Sequence, residues 1–155
     1  HQKHMEQTLL AAAHHKGSAL VEIYQNCVIF NDGAFEGLAE KSIRDEKTID
    51  LRPGEPLVFG KAQDKGLKLA GWEPAIVPAA EADTWKADVA SPGPAFAMAQ
   101  LQNQPGMPRP IGVFRSVNAP LFDHDMNEQV KKAVAKRGKG TLKDLVYSGE
   151  MWTVT

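Results

Sequence analysis

Among 155 residues there is a single cysteine, Cys27, in the stretch Val21–Phe35 (VEIYQNCVIFNDGAF). A thiolate can ligate a metal or attack an electrophile, whereas a protonated thiol can serve as a small buried hydrophobe. Attack needs a base within reach, and no Cys-His or Ser-His-Asp set can be argued from the spacing in this chain. With no second cysteine there is no internal disulfide, and a metal held by Cys27 would need further ligands. Asn26 and Asn31 flank the sulfur. Asn31-Asp32-Gly33 marks a tight turn that carries the chain away.

Other groupings carry less chemistry. His14 and His15 are adjacent on a helix, so they point about 100° apart and do not converge on one ion. Asp123-His124-Asp125 opens a helix, where acidic side chains favour the dipole. Gly138-Lys139-Gly140-Thr141 lacks the spacing of a phosphate-binding loop. Lys131, Lys132, Lys136, Arg137, Lys139 and Lys143 form a basic stretch. It reads either as a solvated helix face or as a docking surface for an acidic protein. Trp72, Trp85 and Trp152 read as packing residues.

The elements that must position Cys27 come first in the chain. The spacing of Met5, Leu9, Ala12 and Ala13 predicts a helix over 3–15, ended by Lys16-Gly17. The near-continuous apolar run from Ser18 to Tyr24 predicts a strand buried on both faces of a parallel sheet. Helix, glycine turn and buried strand make one α/β repeat, and Cys27 stands at the strand's carboxyl end, where open α/β sheets bind ligands. Beyond the Asn31-Asp32-Gly33 turn, the expected elements are a short helix through Phe35 and Leu38, then a charged segment over 40–47. Extended pieces follow at 48–51 and 56–59, and a strand at 75–77. A helix is expected over 95–102, with Phe96, Met98 and Leu101 for packing. The proline-rich loop 104–110 precedes a strand over 111–117. A second clear helix runs over 123–137, and Thr141-Leu142-Lys143-Asp144 has the form of a capping box that opens a last short helix.

Hydrophobic residues make up 43% of the chain, enough for a modest core. The 18 Lys and Arg nearly balance the 19 Asp and Glu, so the basic excess of a nucleic-acid binder is missing. No apolar stretch approaches the roughly 20 residues of a membrane-spanning helix. A lone cysteine fits a reducing compartment, and the expected location is cytoplasmic. The helical pattern is already running at His1-Gln2-Lys3-His4, which suggests a chain whose start has been cut away.

Gln25-Asn26-Cys27-Val28-Ile29-Phe30-Asn31-Asp32-Gly33, following Leu20-Val21-Glu22-Ile23, resembles the thiamine-diphosphate-binding β subunit of 2-oxoacid:ferredoxin oxidoreductases, the 2-oxoglutarate members above all. The resemblance continues in Pro110–Arg115 and in Ser148–Val154, and is weaker over 40–104. The resemblance implies an α/β fold. Residues 1–38 would be the carboxyl-terminal part of a thiamine-diphosphate-binding parallel-sheet domain, and 39–155 an irregular α+β extension. It implies that Cys27 is the fourth ligand of a [4Fe-4S] cluster, with Asn26 and Asn31 as candidate contacts around it. The other three cysteines and the Gly-Asp-Gly…Asn motif for Mg²⁺ and the diphosphate would lie upstream, since this sequence has neither. The family more often has Pro where Val28 stands.

The implied activity is coenzyme A-dependent oxidative decarboxylation of a 2-oxoacid, with electrons passed through the cluster to ferredoxin. The implied partners are an α subunit and ferredoxin, and no residue of this segment is assigned as catalytic. Alone, the segment is expected to be inactive. The rival reading from the residues is a non-catalytic accessory or interaction domain with a buried, inert Cys27.

Overall fold

The computed structural model describes all residues except His1, Ala39, Trp72, Thr153 and Thr155. The expected packing role of Trp72 therefore falls outside the described residues. The chain divides into two compact units, His1–His15 with Ala19–Asn118, and Lys16–Ser18 with Ala119–Thr155.

In the first unit, helix α1 (Gln2–His14) meets expectation in extent. Its inward contact is polar. His4 Nε2 lies 3.1 Å from Asp50 Oδ1, while Met5, Leu9 and Leu10 are exposed. The predicted strand over 18–24 does not form. A strand of a parallel sheet requires neighbours on both edges and cover on both faces, and this stretch has neither here. Leu20 is accordingly 91% exposed.

The charged segment 40–47, into which a short helix is expected to fade, folds as helix α2 (Lys41–Lys47). Lys, Arg and Glu are good helix formers, and Glu46 pairs with Lys65 of a later strand. Strand β1 (Thr48–Leu51) follows and pairs in parallel with β5 (Arg109–Gly112), placing Thr48 beside Arg109 and Leu51 beside Gly112. β5 thus starts two residues earlier than the expected 111–117 and stops at Gly112. Gly112 has φ +97°, and a Cβ built there would lie 2.6 Å from Asp50 Oδ1 and 2.9 Å from the Leu51 carbonyl oxygen. No L side chain fits that crossing.

A second, antiparallel sheet has the order β2 (Val58–Phe59), β3 (Lys65–Ala70), β4 (Glu73–Pro78). β3 was missed in the sequence because Gly66 and Lys68 break its apolar run. Gly66 is needed: a Cβ there would sit 2.6 Å from the Ala82 Cβ. Helix α3 (Gly93–Gln100) continues into a 3₁₀ turn at Leu101–Asn103. Met98 and Leu101 are fully buried as expected, but Phe96 faces outward.

Ile49, Leu51, Leu57, Phe59, Leu67, Trp85, Ala87, Met98 and Leu101 form one core between the sheets and α3. Trp85 is its largest member, and its indole Nε1 donates to the Val113 carbonyl at 2.7 Å. The molecule is therefore α/β, with a parallel strand pair and helices.

The second unit contains α4 (Phe122–Arg137) and α5 (Leu142–Val146). Gly138, at φ +82°, ends α4. The capping box forms as expected: Thr141 Oγ1 accepts from the Asp144 amide at 3.1 Å and the Asp144 carboxylate accepts from the Thr141 amide at 2.9 Å. Trp152, expected to pack, is 84% exposed. Among the described residues of this unit all but Gly17 and Glu128 are exposed, the basic stretch over 131–143 included.

Candidate functional site

The segment that carries Cys27 is a closed loop in the first unit. At its two ends the rings of Tyr24 and Phe35 stack with centroids 5.1 Å apart. The Arg109 guanidinium, from the first residue of β5, lies 5.5 Å from the Tyr24 ring centroid and 5.9 Å from that of Phe35. Arg109 thereby fastens the loop to the parallel strand pair. A cation over two aromatic faces contributes about 0.5–1 kcal/mol per ring at exposed sites. Burial pushes the Tyr24 phenol up, countered in part by Arg109.

Inside the loop, Asn26 acts as a cross-brace. Its Nδ2 donates to Asp32 Oδ1 at 2.9 Å, and its Oδ1 accepts from the Gly33 amide at 3.0 Å. Gly33 takes φ +76°, which lets the chain reverse there. The Asn31 amide donates to the Cys27 carbonyl at 2.9 Å, closing the tight turn Cys27-Val28-Ile29-Phe30. The Asn26 side chain therefore reaches the turn at Asp32-Gly33, and Asn31 contributes its backbone.

The turn wraps amides around the sulfur. Hydrogen bonding from the Phe30 amide, then from those of Ile29 and Asn31, holds the Cys27 thiol below its ordinary value, because N–H dipoles pointing at sulfur stabilise the thiolate. The thiol is fully exposed, which contradicts the alternative of a buried, inert Cys27. Val28, Ile29 and Phe30 around it are exposed too, with Phe30 at 89%. An accessible thiol whose ionisation neighbouring backbone amides favour suits a metal-ligating or reactive sulfur.

One thiolate does not make a metal site. No group of three or more His, Cys, Asp or Glu side chains able to hold an ion occurs among the described residues. Cys27 can supply one corner of a cluster whose other ligands come from elsewhere. The amide ring predicts a measurable property: the rate of alkylation of the one thiol by iodoacetamide should rise with an inflection below that of a free cysteine, about 8.5. An inflection at or above that value would show that the amides do not act on the sulfur.

Sequence reasoning identified Cys27, Asn26, Asn31 and the Asp32-Gly33 turn, but not Tyr24, Phe35 and Arg109. The aromatic pair bracketing the loop was a legible signal. Nothing local marks Arg109, which arrives through the β1–β5 pairing.

Over 157 aligned positions, the chain is 36% identical to 2-oxoglutarate oxidoreductase subunit KorB of Mycobacterium tuberculosis. The alignment covers 97% of this chain and 42% of that protein, so the chain spans about two fifths of the length of this curated relative. No family model matches the chain, and no solved structure matches it.

Proposed function

We propose, from this chain's similarity along almost its whole length to a 2-oxoglutarate oxidoreductase subunit, that it is a segment of the β subunit of such an enzyme. The similarity over 97% of the chain is the observation that carries the reading. In it, residues 1–38 belong to a thiamine-diphosphate-binding α/β domain and 39–155 form a carboxyl-terminal extension. The run from Leu20 to Ile23, with Leu20 and Ile23 exposed here, becomes a sheet strand once the remainder of the subunit supplies its neighbours.

The residues present fit one ligand position of a [4Fe-4S] cluster. An exposed thiol whose ionised form the backbone amides of Phe30, Ile29 and Asn31 favour matches how proteins hold a cluster sulfur and tune its potential. Asn26 keeps the turn in shape by bracing it against Asp32 and Gly33, and Arg109 keeps the whole loop at the edge of the strand pair. Among the described residues no group of three or more His, Cys, Asp or Glu side chains could hold Mg²⁺. In this reading Mg²⁺, thiamine diphosphate and the other cluster ligands are held outside these 155 residues. The bound cofactors would supply an electron sink for decarboxylation and a one-electron relay. This chain's contribution is to bind one iron, to stabilise its thiolate by backbone dipoles and to fix its position.

The activity proposed for the assembled enzyme is coenzyme A-dependent oxidative decarboxylation of 2-oxoglutarate, with ferredoxin as acceptor and an α subunit as partner. Its proposed compartment is the cytoplasm. Among the described residues no helix is long and apolar enough to cross a membrane.

The test is to purify the native complex through a tag on this chain. The expected product is brown, contains a second subunit, and reduces ferredoxin only when 2-oxoglutarate and coenzyme A are both present. The isolated 155-residue segment should show no such activity. A colourless complex, or one indifferent to 2-oxoglutarate, would refute the reading.

A further inference from the structure

Asp32-Gly33 is the only Asp-Gly or Asn-Gly pair in the chain. Such a pair is the one most open to attack by its own main chain, because glycine has no side chain to shield its nitrogen from the neighbouring carboxyl. The turn nevertheless needs glycine there. Gly33 has φ +76°, and a Cβ built on it would lie 3.2 Å from Glu36 Oε1. The hazard is therefore fixed by the fold of the loop. One side chain engages both of the groups that would react. Asn26 Nδ2 donates to Asp32 Oδ1 at 2.9 Å, and Asn26 Oδ1 accepts from the Gly33 amide at 3.0 Å.

We propose that Asp32-Gly33 is a latent isomerisation site and that the Asn26 carboxamide holds it in the aspartyl form. The reaction begins when the Gly33 nitrogen gives up its proton and attacks Asp32 Cγ. A new C–N bond closes a succinimide ring, and one carboxylate oxygen leaves as water with that proton and another from solvent. Water then reopens the ring. Attack at Cγ breaks the new bond and regenerates aspartate. Attack at the Asp32 main-chain carbonyl breaks the old peptide bond and leaves isoaspartate. Water is the only co-reactant, and mass is unchanged overall.

Asn26 opposes ring closure at two points. Its oxygen, seated on the Gly33 N–H, favours the protonated nitrogen and sets a lone pair against the deprotonated one. Its Nδ2, seated on Oδ1, restrains the carboxylate from turning into line with that nitrogen. Every atom involved lies between Asn26 and Gly33, so the protection belongs to the loop itself. It does not depend on any role for Cys27. In the isoaspartyl form the main chain runs through Asp32 Cβ and Cγ and gains a methylene. Gly33 then falls out of register with Asn26, and the loop that carries the thiol loosens.

The test is incubation of the full chain at neutral pH and fixed temperature, followed by peptide mapping. An isoaspartyl bond resists the endoproteinase that cleaves before aspartate, although the peptide mass is unaltered. Asn26→Ala should accumulate isoaspartate at position 32 at least about fivefold faster than the wild type, the net worth of one hydrogen bond. In denaturant, where Asn26 lets go, wild type and variant should react at one common, faster rate. Asn26→Asp keeps the acceptor for the Gly33 amide but not the donor to Asp32, and should fall between. Far-ultraviolet circular dichroism checks the fold, and where Asn26→Ala unfolds, Asn26→Asp against the wild type decides. A native wild type that isomerises as fast as the denatured chain would overturn the proposal. So would a folded Asn26→Ala chain that isomerises as slowly as the wild type.

Discussion

Under the proposed function, replacing Cys27 by Ala in the assembled enzyme should bleach the broad visible absorbance of the proposed cluster and lower ferredoxin reduction by more than about 100-fold. Changes to groups that merely orient metal ligands already cost roughly 10- to 100-fold, and loss of a ligand removes more. The Cys27 side chain is exposed in this chain, so its truncation leaves no buried cavity here. The variant's far-ultraviolet circular dichroism should match the wild type, which separates loss of colour from loss of fold. Cys27→Ser retains an oxygen of similar reach but poor softness for iron, and should recover only part of the absorbance. An Ala variant with full colour and full 2-oxoglutarate-dependent turnover would remove Cys27 from the redox path and leave the loop a surface turn.

Trp85→Ala should destabilise the first unit by about 3–5 kcal/mol, the usual range for deleting a large buried aromatic. Trp85 is 1% exposed at the centre of the core, and its indole satisfies the Val113 carbonyl at 2.7 Å. Truncation opens a cavity between the two sheets and also orphans that acceptor. Against a typical total stability of about 5–15 kcal/mol, such a loss moves the urea midpoint far down. Trp85→Phe, which keeps much of the volume but not the donor, should fall between. Trp152→Ala, at an exposed position, should cost less than about 0.5 kcal/mol. Equal midpoints for Trp85→Ala and Trp152→Ala would mean that the core is not where these contacts place it.

These two tryptophans show where local reading stops. Both are large apolar residues in polar surroundings, and the sequence around each predicts packing alike. Trp85 is buried because side chains from β1, β2, β3 and helix α3 join it in one core. Trp152 is exposed because its own unit lacks a second layer. Phe96 and Met98 diverge for a related reason: on an eight-residue helix packed on one side, two positions apart is the other face. Gly66 and Gly112 read as breaks in apolar runs. They are close crossings, and only the partner strands and Ala82 reveal that.

By itself the sequence determined what is local. Helix α4 with its Gly138 stop, the Thr141–Asp144 box, the extent of α1 and the turn at Asn31–Gly33 all depend on neighbours within one or two helical turns, so propensity and capping suffice to specify them. It also marked Cys27 as the residue whose chemistry is out of the ordinary. Tertiary structure alone decided that Arg109 reaches across to Tyr24 and Phe35, and that β5 begins at Arg109. It also decided that the apolar run from Ser18 to Tyr24 is no strand among these residues. Each of these outcomes needs a partner distant in the chain, and a strand, a cation over a ring or a buried indole has no stability until that partner is in place.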